Sequence, residues 1–136
     1  MKELFLEGIG TAIVFENEGT CIVNTTPHPI TMMDTLSNIV NVPTTVLLNA
    51  KAEEKQVSKF LITTDFVQTE EGLETIEKIK SVYAKTSHTE ELIIVGSIIA
   101  AQAYKGDVVA MTPCKGYERV APAEKRMNCN KFTVFC

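Results

Sequence analysis

The segment from Leu92 to Met111 constrains the fold more than any other part of the chain. Leu92-Ile93-Ile94-Val95 is short, wholly apolar and mostly β-branched, as a strand covered on both faces is. Gly96-Ser97 breaks that run. Ser97 is placed to cap a short alanine-rich helix from Ile98 to Tyr104, and Gly106 after Lys105 closes it. Asp107-Val108-Val109-Ala110-Met111 then resumes a strand. Strand, capped helix, strand is a βαβ-like unit, in which a helix N-terminus faces the carboxyl end of a central strand. Anions bind well at such places. A packed crossover, whose small residues simply let the helix approach the sheet, accounts for the same residues at least as well.

The first half of the chain reads as strands. Gly10 to Phe15 and Thr20 to Val23 are β-branched runs separated by Glu16-Asn17-Glu18-Gly19, a hairpin loop with Gly19 available for positive φ. Ile30 to Met33 and Asn38 to Val42 follow, the second ended by Pro43. Thr45 to Ala52 reads as strand rather than helix, with Phe60 to Thr64 as the next. Thr69 caps a helix over 70–84 that opens on Glu70 and Glu71 and carries Leu73, Ile76, Ile79, Val82 and Tyr83 along one side. Lys131 to Phe135 supplies a last strand. The expected fold is a single domain over residues 1–136, α/β or α+β, with a mixed sheet and about two helices.

Length and composition narrow the function classes. A chain of 136 residues can bury roughly two thirds of its unfolded surface without staples. Its longest apolar stretch, Leu92 to Ala101, falls far short of the ~20 residues that a membrane span requires. The opening Met1-Lys2-Glu3-Leu4-Phe5-Leu6-Glu7 has neither an apolar h-region nor a small-residue cleavage site, so a cytoplasmic location and no membrane partner are expected. Cys21, Cys114, Cys129 and Cys136 share no Cys-x-x-Cys spacing, and His28 and His88 are the only histidines. Free thiols are expected, with no metal and no cofactor.

The net charge of −4 argues against DNA or RNA binding through a basic surface. Its distribution is uneven. Residues 1–104 hold seven Lys/Arg against fourteen Asp/Glu, whereas residues 105–136 hold six against three. The basic last quarter suits either a local anion site or a solvated tail.

Candidate ligand contacts come from three segments. In Asn24-Thr25-Thr26-Pro27-His28-Pro29 each proline fixes its own φ and keeps the residue before it extended, so Thr26 and His28 sit on a stiff tether. Little freedom remains there to be lost on binding. A tight corner whose Asn and Thr side chains cap backbone groups is the structural alternative. Ser97 and Gln102 come from the crossover. Lys115, Tyr117 and Arg119 come from the irregular stretch marked by Pro113, Gly116 and Pro122, where Tyr117 and Arg119 form a stacking and charge pair suited to a base and a phosphate, or an edge strand that serves solubility.

Two of these segments carry a resemblance. Ile22-Val23-Asn24-Thr25-Thr26-Pro27-His28-Pro29-Ile30 is similar to the Asn-Leu-Thr-Pro-His-x-Ile opening of small proteins of bacteriophages and prophages. Ile94 to Ala103, Gly106 to Ala110 and the tail from 119 resemble their later Tyr-Ile-Val-Ser-x-x-Val-Ala-Gln-Ala segment, Asp-Val-Val strand and ending. The likeness covers residues 20–135, loosely in the middle. It implies a phage protein of the kind that includes viral sponges, which sequester cyclic nucleotide signals of bacterial immunity such as CBASS or Thoeris.

The expected function is therefore non-enzymatic binding of a cyclic dinucleotide or related second messenger, in the host cytoplasm, by a homo-oligomer, dimer or tetramer. Thr26, His28, Ser97, Gln102, Lys115, Tyr117 and Arg119 are the ligand-binding residues, with no catalytic residue. A phosphodiesterase-type enzyme with His28 as general base, and a phage accessory protein acting through protein contacts, are the alternatives.

Overall fold

A computed structural model describes every residue from Met1 to Cys136. In chain order the elements are β1 (Lys2–Leu6), β2 (Gly10–Phe15), β3 (Thr20–Asn24), β4 (Ile30–Met33), β5 (Ile39–Val42), β6 (Lys51–Gln56), β7 (Ile62–Val67), α1 (Glu70–Ala84), β8 (Glu91–Gly96), α2 (Ile98–Ala103), β9 (Val108–Pro113) and β10 (Met127–Thr133). A single 3-10 turn, Pro122–Glu124, precedes β10.

Eight strands form one mixed sheet in the order β1-β2-β3-β8-β9-β10-β4-β5, and β6 and β7 form a separate hairpin. Strands β3, β8 and β9 run parallel at its centre: Ile22 pairs with Ile93, and Ile94 with Val108. Strand β10 is antiparallel to β9 and parallel to β4.

Period-two alternation explains why both faces of the centre are buried. In β2, Ala12 and Val14 enter one core while Ile13 and Phe15 enter another; in β3, Cys21 and Val23 part from Ile22 in the same way. The first core lies beneath the helices, where Ile76 and Ile79 of α1 and Ala100, Ala101 and Ala103 of α2 cover the sheet. The second joins Ile13 and Phe15 of β2 to Ile30 and Met32 of β4 and to Val40 and Val42 of β5. Strands so far apart in the order share one core because the sheet curls. Thr20 Oγ1 on β3 donates to the Cys129 carbonyl on β10 across that concave side, at 2.8 Å. The fold is α+β, mostly β, with two helices as expected.

The helices are short and are held by named contacts. The Thr69 hydroxyl accepts from Gly72 N at 2.9 Å, and the Ser97 hydroxyl from Ala100 N at 3.1 Å. Tyr104, fully buried at the end of α2, donates its hydroxyl to the Asn49 carbonyl at 2.8 Å and accepts from Thr69 N at 3.1 Å. One side chain thus ties α2 to the start of α1 and to the segment ahead of β6. Gly72 is where the two approach most closely: a Cβ there would stand 1.8 Å from the Tyr104 hydroxyl.

Four expectations from the sequence need correction. Strand β1 is additional to the expected strands; it pairs antiparallel with β2, Leu4 opposite Ala12. Residues 45–50 are not strand, because Thr45 and Leu48 donate their backbone N–H groups to Asn24 and Thr25 at the end of β3 instead of to a ladder. Strand β7 begins at Ile62 rather than Phe60. Strand β10 starts at Met127, four residues before Lys131, since Cys129 turns inward to the concave core.

Buried thiols fit this layered core. Burial pushes Cys21 and Cys129 up to about 12, with Glu90 and Glu18 respectively adding to the effect, and raises Cys114 as well. Cys136 alone is exposed. A thiolate-seeking reagent at pH 8 is expected to titrate one thiol per native chain and all four in denaturant. Two or more rapidly reacting native thiols would show that the cores open.

Candidate functional site

The end of β3 is built from its own polar side chains. Asn24 is fully buried, and its Oδ1 accepts from Thr26 N at 2.9 Å and from the Thr26 hydroxyl at 2.7 Å. Its Nδ2 donates to the Val42 carbonyl at 3.1 Å and the His28 carbonyl at 3.0 Å. Thr25 donates both N–H and hydroxyl to the Val95 carbonyl, at 2.9 and 2.7 Å, which extends the β3-β8 pairing past Asn24. Thr44 donates its hydroxyl to the Thr26 carbonyl at 2.8 Å. The Thr45 hydroxyl accepts from Asn24 N at 3.1 Å and donates to the Thr11 carbonyl at 2.8 Å. The Asn and Thr side chains therefore cap the corner's own backbone. Pro27, His28 and Pro29 project from it, exposed, on a backbone that those bonds hold still.

A crevice of about 360 Å³ opens beside this corner. Thr25, Thr26 and Pro27 form one wall, Ser97 and Ile99 at the start of α2 another, and Asn49 and Phe66 a third. Its position follows from the chain path. After β3 the chain turns to β4 and the concave core, whereas after β8 it turns into α2 on the helical side. Two adjacent parallel strands whose continuations diverge leave a crevice outside their carboxyl ends. Beyond Phe66 lies a wider groove of about 540 Å³, lined by Thr64 to Val67, Gln102, Lys105 and Phe135.

The expected residues divide among these places. Thr26 and Ser97 share the crevice, and Gln102 lines the groove next to it. His28, one residue past Pro27, is exposed and lines neither the crevice nor the groove. Lys115 borders a separate cavity of about 210 Å³ with Met33, Asp34 and Asn128. Tyr117 is half-buried, and its ring lies 5.9 Å from the guanidinium of Arg126, so the cation stacked on it is Arg126 and not Arg119. Arg119 is exposed, and the structure records no ion pair or hydrogen bond for it.

Topology nonetheless brings Lys125 of the basic segment beside Pro29. Strands β3, β8 and β9 end, and β4 and β10 begin, at one end of the sheet. A small cavity of about 170 Å³ there is lined by Pro29 on one side and by Pro122, Lys125 and Met127 on the other. Sequence reasoning misses Lys125 and Phe66. Lys125 lies far along the chain from Pro29, and that separation hides their closeness in the fold. Phe66 follows the polar run Thr63-Thr64-Asp65 as a lone aromatic, which is the one local signal that marks it.

No group of three or more His, Cys, Asp or Glu side chains converges to hold a metal ion, and no helix is long and apolar enough to cross a membrane. Comparison with family models, with curated proteins and with solved structures finds no match.

Proposed function

We propose that the chain is a non-enzymatic binder of a cyclic dinucleotide or related nucleotide second messenger, acting in the host cytoplasm as the resemblance to phage proteins implies. The observation that carries this reading is the crevice at the diverging carboxyl ends of β3 and β8. Its walls offer the Ser97 hydroxyl, the Thr26 hydroxyl oxygen as an acceptor, since its proton is donated within the corner, the Asn49 amide and the Phe66 ring, groups that hydrogen-bond or stack a base. All ten lining side chains are non-titratable, which favours holding a ligand over proton transfer to it. His28 follows Pro27 of the crevice wall, and Lys125 lies across Pro29, where a phosphate leaving the crevice would meet a positive charge.

Titration calorimetry and thermal melts against a panel of cyclic di- and trinucleotides test this reading. One member is expected to bind with micromolar or tighter affinity and, at a hundredfold excess over Kd, to raise Tm by about 10 °C. The ligand should be recovered intact after denaturation. Recovery of a cleaved product would favour the enzyme with His28 as base, and no binding across the panel would sink both.

A further inference from the structure

Beyond the root of β7, which packs against α2, the β6-β7 hairpin stands apart from both cores. Residues 51 to 65 are all exposed, and Val57, Phe60, Leu61 and Ile62 at and beside its tip show 62%, 85%, 64% and 51% of their surface. A two-stranded hairpin alone in water is marginal at best. Only its root, Phe66 and Val67, is half-buried, with Phe66 packed against the core beneath the helices.

The outer edge of β7 is open. Strand β7 pairs only with β6, and no backbone hydrogen bond outside that ladder involves residues 62 to 68. The groove beside it is lined by Thr64, Asp65, Phe66 and Val67 in succession. Side chains alternate between faces along a strand, so four consecutive residues border one groove through the strand's edge rather than through a face. The other free edges are guarded in the usual ways: β1 carries Lys2 and Glu3, β5 is four residues long and stopped by Pro43, and β6 carries Lys51, Glu53, Glu54 and Lys55. From Phe60 to Val67, β7 and its approach hold one charge, Asp65, and neither proline nor glycine. A long, exposed edge with so little charge is a template for a further strand.

From these features we infer that β7 pairs antiparallel with β7 of a second copy of this chain, about a two-fold axis at Thr64, giving a four-stranded sheet β6-β7-β7-β6. The register is self-complementary. With Thr64 opposite its own symmetry mate, Thr63 faces Asp65, Ile62 faces Phe66 and Leu61 faces Val67. Threonine pairs and aromatic to β-branched pairs are favourable cross-strand neighbours, and no like charges oppose each other along β7. The arm's charge also suits a copy of itself. Lys51, Lys55 and Lys59 balance Glu53, Glu54 and Asp65, so residues 51–67 are neutral and the whole net charge of −4 lies elsewhere. Neutral arms approach each other without the repulsion that separates the bodies, and they offer no basic cluster to an anionic membrane. The pairing sets the second copy's Ile62 beside Phe66, the residue shared by the crevice and the groove, so each protomer adds a wall near the other's site. This inference does not depend on which ligand the crevice takes.

A charge at residue 64 tests it. Within its own hairpin Thr64 lies opposite Glu54, so Thr64→Lys supports the arm; across the two-fold axis the same lysine meets its own copy. Sedimentation equilibrium is expected to show twice the 15.0 kDa chain mass for the wild type. For Thr64→Lys the dimer should weaken by about tenfold or more, with unchanged circular dichroism, while Thr64→Val stays dimeric. A wild type that remains monomeric at roughly 100 μM overturns the inference, as does a Thr64→Lys dimer as tight as the wild type.

Discussion

Replacing Asn24 by alanine is expected to cost about 3 kcal/mol of folding stability, a large share of what a domain of this size possesses. The change strands the Thr26 N–H and the Val42 carbonyl in a place where Asn24 itself is fully buried and water does not reach. Each unpaired buried group costs about 1–3 kcal/mol. The His28 carbonyl fares better, because the Thr26 hydroxyl donates to it at 2.8 Å and is released from Asn24. Asn24→Asp separates the donor half of the amide from the acceptor half. Aspartate keeps the acceptor for Thr26, but when ionised it turns an oxygen on two carbonyls that expect an N–H. The protonated form is favoured in the folded chain, which raises the folded pKa above the unfolded value near 4. A folded state that holds the proton more tightly loses stability as pH rises from that unfolded value through the folded one. Urea melts should therefore show an Asn24→Asp deficit that grows between pH 4 and pH 7, against an Asn24→Ala deficit that is flat. An Asn24→Ala loss below about 1 kcal/mol would mean that the corner relaxes to admit water.

How far this corner is legible in the sequence depends on the range of its contacts. The prolines and the Asn-Thr-Thr run announce a stiff turn because their effects are local, on φ and on the residue two positions away. That Thr44 and Thr45 complete it is not local: Thr45 joins Asn24 to Thr11 across 21 and 34 positions, and a β-branched run reads as a strand for want of that partner. The helix over 70–84 and the β8-α2-β9 unit are readable for the opposite reason, since cap, stripe and closing glycine lie within one element. Strand β1 is hard to see because an edge strand half in water need not alternate clearly, and Lys2, Glu3 and Phe5 are not buried. Likewise a pocket is a meeting of distant segments. Thr26 and Ser97 meet because β3 and β8 pair; Arg126, rather than Arg119, reaches Tyr117 because the 3-10 turn at Pro122–Glu124 folds the chain back before β10.

Gly10→Ala should be among the most damaging single methyls in the molecule, at about 3–5 kcal/mol. Gly10 has φ +153°, a region that side chains rarely enter, and a Cβ placed there would stand 2.1 Å from the Thr45 carbonyl oxygen and 3.0 Å from its carbon. The obstacle is backbone, so no rotamer change relieves it. The chain at Thr45 must shift, and Thr45 is the residue whose hydroxyl holds Asn24 N and the Thr11 carbonyl. Strain at the start of β2 is thereby passed to the end of β3, the wall of the crevice. This sets Gly10 apart from Gly19, which also has positive φ, +79°, but where an added Cβ would have no neighbour within 4 Å; there alanine meets only the backbone preference, about 1 kcal/mol. Chemical denaturation of Gly10→Ala, Gly19→Ala, Asn24→Ala and the Gly10→Ala/Asn24→Ala pair separates the two effects. Gly10→Ala displaces Thr45, which holds the backbone of residue 24, and Asn24→Ala removes the side-chain bonds of that same corner, so the double variant should lose less than the sum of the singles by about 1 kcal/mol or more. Strict additivity would show that the clash at Gly10 is absorbed before it reaches the corner, and a Gly10→Ala cost no greater than that of Gly19→Ala would show that residues 43–50 yield freely.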